Sequence, residues 1–149
     1  MAMIISSVAE EGSIGTEPPV DIAARAERLR TMISSETRTA AWVLELQGRV
    51  VGHAGAHEQT EGVLYLGMTI LPEARGHGGG RALLRAIDAY ARECGAHKLD
   101  LEVWVDNARA IALYASEGYT VEGVRRLHYR RRNGDLRSTL VMAKPVPTS

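Results

Sequence analysis

The chain has one cysteine, two lysines, no net charge and no long apolar run. Each shortage excludes something. Cys94 has no partner for an intrachain disulfide, which makes a reducing, cytoplasmic setting the simplest home. Eighteen basic residues balance eighteen acidic ones, so no overall charge directs the chain to nucleic acid or to a membrane surface. No stretch approaches the ~18–20 apolar residues that a membrane span needs. Met3-Ile4-Ile5 is too short for the apolar region of a signal peptide, and Glu10 and Glu11 follow it. Internal repeats, low-complexity tracts and linkers are also missing. What remains is a chain of 149 residues, 45% hydrophobic and 24% charged. That suits a single domain over residues 1–149, with 145–149 expected to fray.

Periodicity gives a mixed α/β chain. Residues 1–11 are ambiguous between helix and strand, and Gly12 to Val20 reads as loop. Asp21 is an N-cap signal for an amphipathic helix to about Met32. Ala41–Leu46 and Arg49–His57 read as strands joined by Gln47-Gly48, and Leu64–Ile70 follows as a third. Three consecutive strands suggest an antiparallel meander. Ala82–Cys94 is a helix with Leu83, Leu84, Ile87, Tyr90, Ala91 and Cys94 on one stripe. Cys94 on that stripe reads as a core residue. Lys98–Val105 alternates as a strand, and the connecting helix makes it parallel to the third. A helix over Ala108–Ser116 follows, capped by Asp106 and Asn107. Two strands, Tyr119–Arg132 and Ser138–Lys144, then flank Asn133-Gly134, a strong hairpin signal.

The chemistry concentrates between strand three and the long helix. Pro72 ends the strand, and Arg75-Gly76-His77-Gly78-Gly79-Gly80-Arg81 leads into the helix. Residues without Cβ let backbone N–H groups turn toward a ligand, and a helix start adds unpaired N–H groups and a positive dipole end. The loop reads as an anion site, best suited to a pyrophosphate, against an ordinary glycine-rich turn between a strand and a helix. It lacks the Gly-Lys-Ser/Thr of a P-loop. The dinucleotide spacing fails too, because its third glycine would fall on Arg81.

The pattern that does fit is R-x-x-G-x-G at Arg75, Gly78 and Gly80. It resembles the coenzyme-A loop of the GCN5-related N-acetyltransferases (GNAT). Downstream, Leu99, Leu101, Val103, Asn107, Ala110, Leu113, Tyr114, Gly118 and Tyr119 fill a second pattern similar to that family's, in register with the first. The resemblance spans roughly Trp42 to Lys144. It implies an α/β (α+β) GNAT fold: a mixed central sheet, an antiparallel N-terminal meander, a parallel pair splayed at the coenzyme-A site and a C-terminal β-hairpin. Such a domain opens with a strand and two helices. Only twenty residues precede Asp21, so the first strand is expected to be missing.

The resemblance further implies acetyl transfer from acetyl-CoA to a primary amine, without a metal. Met68, Thr69 and Ile70 would hold the thioester oxygen and the pantetheine arm. Arg75, Gly76, His77, Gly78, Gly79, Gly80, Arg81 and Asn107 would complete the cofactor site. Asn107 either caps its helix only or also touches the cofactor, and His77 either contacts phosphate or points to solvent. Tyr114 is the expected acid for the leaving thiolate, against a purely core role. The motif region also resembles ribosomal-protein alanine N-acetyltransferases, which implies Glu102 as the base. Its alternatives are Glu17, Glu58, or a plain strand glutamate paired with an arginine. A coenzyme-A-binding regulatory module without catalysis is the competing reading.

His53 and His57 are four apart on a strand, about 13 Å, too far to share one ion. Arg125, Arg126, Arg130, Arg131, Arg132 and Arg137 cluster at the last hairpin. Alternation spreads them over both faces without a set of stacking aromatics, so a solvated edge or a homodimer surface is expected over nucleic-acid binding. The acceptor amine carries no signature.

Overall fold

The computed structural model describes residues 21–33 and 38–147. Helix α1 (Ile22–Ile33) begins at Asp21, whose Oδ1 accepts the Ala24 N–H at 2.9 Å. Three strands follow: β1 (Thr39–Leu46), β2 (Arg49–Thr60) and β3 (Val63–Ile70). A 3₁₀ turn (Pro72–Ala74) leads to α2 (Gly79–Glu93), then β4 (Lys98–Trp104) and α3 (Ala108–Ser116). The chain closes with β5 (Thr120–Arg130) and β6 (Leu136–Pro145). The expectations for the first strand and for residues 1–20 lie outside the described residues.

The six strands form one mixed sheet in the order β1-β2-β3-β4-β6-β5. β1, β2 and β3 are the expected antiparallel meander. β3 and β4 are parallel, because α2 carries the chain back to the starting end. Their pairing runs only from Val63↔Lys98 to Tyr65↔Asp100. Beyond that the two strands part. Each stays paired on its outer side, β3 with β2 up to Ile70 and β4 with β6 up to Trp104. The result is a fork in the middle of the sheet.

Alternation decides what fills each face. Ala54 and Ala56 of β2, Leu64 and Leu66 of β3, and Leu99, Leu101 and Val103 of β4 are buried together. Against them α2 lays Leu83, Leu84, Ile87 and Ala91. Tyr114 and Tyr119 complete this core, their rings edge to face at 5.8 Å. Trp42 and Leu44 of β1 pack at its margin, Trp42 against Tyr90 at 5.7 Å. Cys94 packs there as well.

Several expectations change. Glycine is a poor helix former, which argued for a helix start at Ala82, yet α2 begins at Gly79. Close packing explains this: a Cβ on Gly79 would lie 2.3 Å from Leu44 Cδ2, and one on Gly80 2.7 Å from Leu113 Cδ2. Asp88, which lies off the apolar stripe named above, is buried, because Lys144 of β6 reaches it at 2.9 Å beside Arg92 of the same helix. At the start of the tail expected to fray, β6 includes Pro145 and buried Val146 donates its N–H to His97 O at 2.9 Å, while residues 148–149 lie outside the described residues. The hairpin turns at Asn133-Gly134 as expected, but β5 carries a break in register between Arg125 and Tyr129.

Leu84 sits at 2% exposure between α2 and the sheet, where nothing smaller fills its volume. Leu84→Ala is expected to lower unfolding stability by about 2–5 kcal/mol in urea titrations, with the fold kept.

Candidate active site

The fork supplies the backbone of the site. Residues 66–70 of β3 have no β4 partner in the parallel register, so their β4-facing N–H and C=O groups are available. A Cβ added to Gly67 would meet nothing within 4 Å, so open space lies beside the strand there. Met68, Thr69 and Ile70 stand at the mouth, with Thr69 buried and the other two half-buried.

The glycine loop closes the same mouth. Arg75 donates Nε–H to Ile70 O at 3.0 Å, tying the loop back to the end of β3. Gly76 and Gly78 hold φ +79° and +81°, a region that costs a residue with a Cβ about 1–2 kcal/mol. Gly78 is the N-cap of α2 and has no side chain to satisfy the first N–H groups. The N–H groups of Gly79, Gly80 and Arg81 therefore point out of the helix start without intrahelical acceptors. Arg81 is a predicted cofactor residue, and its side chain turns away from the loop. Its Nε donates to Glu117 Oε1 at 2.6 Å, since that carboxylate is only 14% exposed and needs a cation. Arg81 thus brings its backbone N–H to the mouth. His77 is exposed, its Nδ1 3.0 Å from Arg75 O.

Helix α3 carries two further predicted site residues. Asn107 caps α3, its Oδ1 accepting the Ala110 N–H at 3.2 Å. That cap fixes the helix which carries Tyr114. The Tyr114 phenol is 7% exposed and is pushed up to about 12, chiefly by burial, with Tyr65 adding to it. Tyr65 belongs to the last residue pair before the strands part. Burial and the Glu102 charge raise its phenol too, while Arg125 opposes them.

Glu102 lies on β4 just past the stem of the fork, on the face away from α2. Its carboxylate is 13% exposed and faces three donors. Arg125 Nε stands 3.1 Å from Oε1, and Tyr129 and Thr139 donate hydroxyls to Oε2 at 2.7 and 2.8 Å. The Tyr129 phenol is pushed up to about 12 by burial first and by Glu102 second. The expected arginine partner of Glu102 is therefore real. Tyr65, Tyr129 and Thr139 were not singled out from sequence, since their closeness to Glu102 depends on the sheet register. Glu58, an alternative base, is not brought here. It pairs with Leu64 at the closed end of the fork, where Arg38 and the Gly62 N–H hold it. The Gly62 N–H and then Arg38 keep its carboxyl below the ordinary range. Glu17 lies outside the described residues.

The arginine cluster divides by its contacts. Arg137 covers Trp104 at 4.1 Å and pairs with Asp106 at 2.8 Å, and Arg131 lies 5.4 Å from the same ring. These arginines pack on the edge of the sheet beside the fork.

The model for the Acetyltransferase (GNAT) family matches residues 9–119. A Bacillus subtilis (strain 168) protein provisionally named a ribosomal protein bS18 alanine N-acetyltransferase is 32% identical over 87 residues. That match covers 58% of this chain and 58% of the relative's own length. The crystal structure of ribosomal-protein-alanine N-acetyltransferase from Brucella melitensis superposes with a TM-score of 0.86 at 28% identity, covering 97% of this chain and 91% of that one. A GNAT superfamily phosphinothricin acetyltransferase from Sinorhizobium meliloti, solved in complex with AcCoA, shares the fold at a TM-score of 0.81 and 23% identity, over 98% and 85% of the two chains. With most of its length matched by the family and the same fold in these structures, the chain belongs to the GNAT acetyltransferase family.

Proposed function

We propose that this chain acts as a single-domain N-acetyltransferase, moving the acetyl group of acetyl-CoA to a primary amine by direct attack in a ternary complex. The observation that carries this reading is the fork between β3 and β4, closed at its mouth by the glycine-started helix and flanked by Tyr114 and Glu102. The AcCoA-bound Sinorhizobium meliloti structure on the same fold supports the cosubstrate.

The cofactor's pyrophosphate meets the loop at Arg75, Gly76, His77 and Gly78 and the N–H groups of Gly79, Gly80 and Arg81. The pantetheine arm lies along residues 68–70 as an added strand would, with Asn107 beside it. Unpaired N–H groups of that segment receive the charge that develops on the thioester oxygen. The acceptor arrives protonated, since amine pKa values lie near ~8–10. Glu102 takes one proton, and the freed lone pair attacks the carbonyl carbon. The carbon–sulfur bond then breaks with its electron pair on sulfur, and the new amide nitrogen releases its extra proton to solvent.

Tyr114 serves the sulfur. Its upward shift has two effects: the phenol is always protonated at neutral pH, and it is a weaker acid than a free tyrosine. It therefore stabilises the departing thiolate as a hydrogen-bond donor, and any proton it passes to sulfur is replaced from solvent, so the phenol ends the cycle neutral. No metal is needed for these steps. The lone cysteine and the demand for acetyl-CoA support a cytoplasmic location. The names of the Brucella and Bacillus relatives support a protein N-terminal alanine as the first acceptor to try, ahead of free amino acids and small amines.

Release of coenzyme-A thiol from acetyl-CoA across such a panel tests the reading. Turnover on at least one amine is expected. Folded protein that binds coenzyme A and acetylates nothing would replace the enzyme by a binding module. Tyr114→Phe is expected to lower kcat by about a hundredfold and leave the acetyl-CoA Kd nearly unchanged. Collapse of cofactor binding in that variant would make Tyr114 structural. Gly78→Asp adds charge and a Cβ to a residue at φ +81°. Calorimetric titration should show its acetyl-CoA Kd raised about tenfold or more, and an unchanged Kd would refute the assignment of the loop.

A further inference from the structure

The break in β5 turns a strand edge into a clamp. In the β5–β6 ladder Arg125 pairs with Thr139 and Tyr129 with Arg137. Four steps along β5 thus span two steps along β6. Residues four apart on a regular strand stand about 13 Å from each other, whereas partners two apart stand about 7 Å. Arg126, Leu127 and His128 absorb the excess as a bulge. Leu127 takes φ +48°, uncommon for a residue with a branched side chain, and its N–H donates to Ser138 Oγ at 2.8 Å. The bulge brings Arg125 and Tyr129 together over one residue of β4, and that residue is Glu102.

The geometry points to Arg125, Tyr129 and Thr139 as positioning residues for Glu102, fixing its carboxylate so that Oε1 is the oxygen that takes the acceptor's proton. This rests on the acetyltransferase reading. Oε2 already accepts two hydroxyl donors, Tyr129 at 2.7 Å and Thr139 at 2.8 Å, which fills its lone pairs. Among the described residues Oε1 faces the Arg125 Nε alone, at 3.1 Å, which leaves capacity for one more donor. An ammonium N–H supplies that donor. The N–H bond breaks, an O–H bond forms at Oε1, and the electron pair stays on nitrogen for attack. Two hydroxyls pulling on Oε2 stop the carboxylate from rotating, and Arg125 holds the plane from the other side. The edge contact of Tyr129 with Trp104, at 5.5 Å, and the packing of Arg137 on the same indole brace the clamp from below.

Steady-state kinetics on Tyr129→Phe, Arg125→Lys, Arg125→Met and Glu102→Gln test this, with whichever amine the panel identifies. Tyr129 is 36% exposed, and its phenylalanine variant keeps the ring contact, so folding is preserved. Tyr129→Phe and Arg125→Met are expected to lower kcat about tenfold or more, with the acetyl-CoA KM within about twofold of wild type. Arg125→Lys should recover most of the loss. The deciding readout is the double variant Tyr129→Phe/Glu102→Gln. Acting through Glu102, Tyr129 has nothing left to position, so the double variant is no slower than Glu102→Gln alone. Multiplicative losses, or a Tyr129→Phe enzyme with wild-type kcat, would overturn the clamp while leaving acetyl transfer intact. A wild-type protein that acetylates no amine would remove the underlying reading and the clamp with it.

Discussion

Everything at the site depends on where β3 and β4 stop pairing. Two parallel strands in the middle of a sheet ordinarily continue side by side, because every unpaired buried N–H or C=O costs stability. Here the shared ladder ends at Tyr65↔Asp100. The sheet tolerates this because each strand is secured on its other side, β3 by β2 along its whole length and β4 by β6 from Lys98 to Trp104. The molecule is thus two well-paired half-sheets joined by a short stem. Leu64, Leu66, Leu99 and Leu101 sit beneath that stem, all among the most deeply buried residues, and pin the halves at a fixed opening. The backbone groups left unpaired are the ones a pantetheine amide chain would pair with. A ligand of that kind completes the sheet.

The glycine run at the mouth reads in sequence as one motif, but its residues have separate tasks. Gly76 and Gly78 lie in open space at positive φ, so the backbone conformation there favours glycine. Gly79 and Gly80 have helical backbone and are constrained by neighbours instead, Leu44 and Leu113 standing where a Cβ would be. The first pair turns the chain into the start of α2. The second lets α2 sit close enough to β1 and α3 for its free N–H groups to face the same point. A small side chain at Gly79 or Gly80 displaces a leucine, while one at Gly78 changes the turn itself.

Sequence carried the parts of this design that are local. Alternation in Leu64–Ile70 and Leu99–Val105, the apolar stripe of α2, the Asn107 cap and the Asn133-Gly134 turn each depend on neighbours a few residues away, and each was legible. So was the parallel direction of β4, which follows from the length of the connection. Asp88, Arg81 and the bulge were not legible, for a common reason. Lys144 is far from Asp88 in the chain, Glu117 is far from Arg81, and the bulge shows only once β5 is laid against β6. Six arginines in the last hairpin looked like a solvated edge because alternation assigns faces but not spacing. Spacing is what brings Arg125 to Glu102.

In the proposed mechanism Glu102 and Tyr114 carry two proton tasks on one sheet. They arise on consecutive elements, β4 and α3, but strand alternation sends Glu102 to one face while α3 packs Tyr114 into the core on the other. Their surroundings are opposite in kind. Glu102 lies among donors, with a guanidinium and two hydroxyls directed at its oxygens. Tyr114 lies among carbon atoms, and burial raises its phenol to about 12. The first environment holds a carboxylate in one orientation, and the second keeps a phenol neutral. Separating two titratable groups in this way assigns base and acid without any difference in chain chemistry beyond the side chains themselves. In the mechanism proposed above this sets a direction through the fork: the amine would give up its proton on the Glu102 face, and the thiolate would receive its hydrogen bond on the Tyr114 face. The opening between β3 and β4 lies between the two faces, and on the proposed mechanism the acetyl group sits in it.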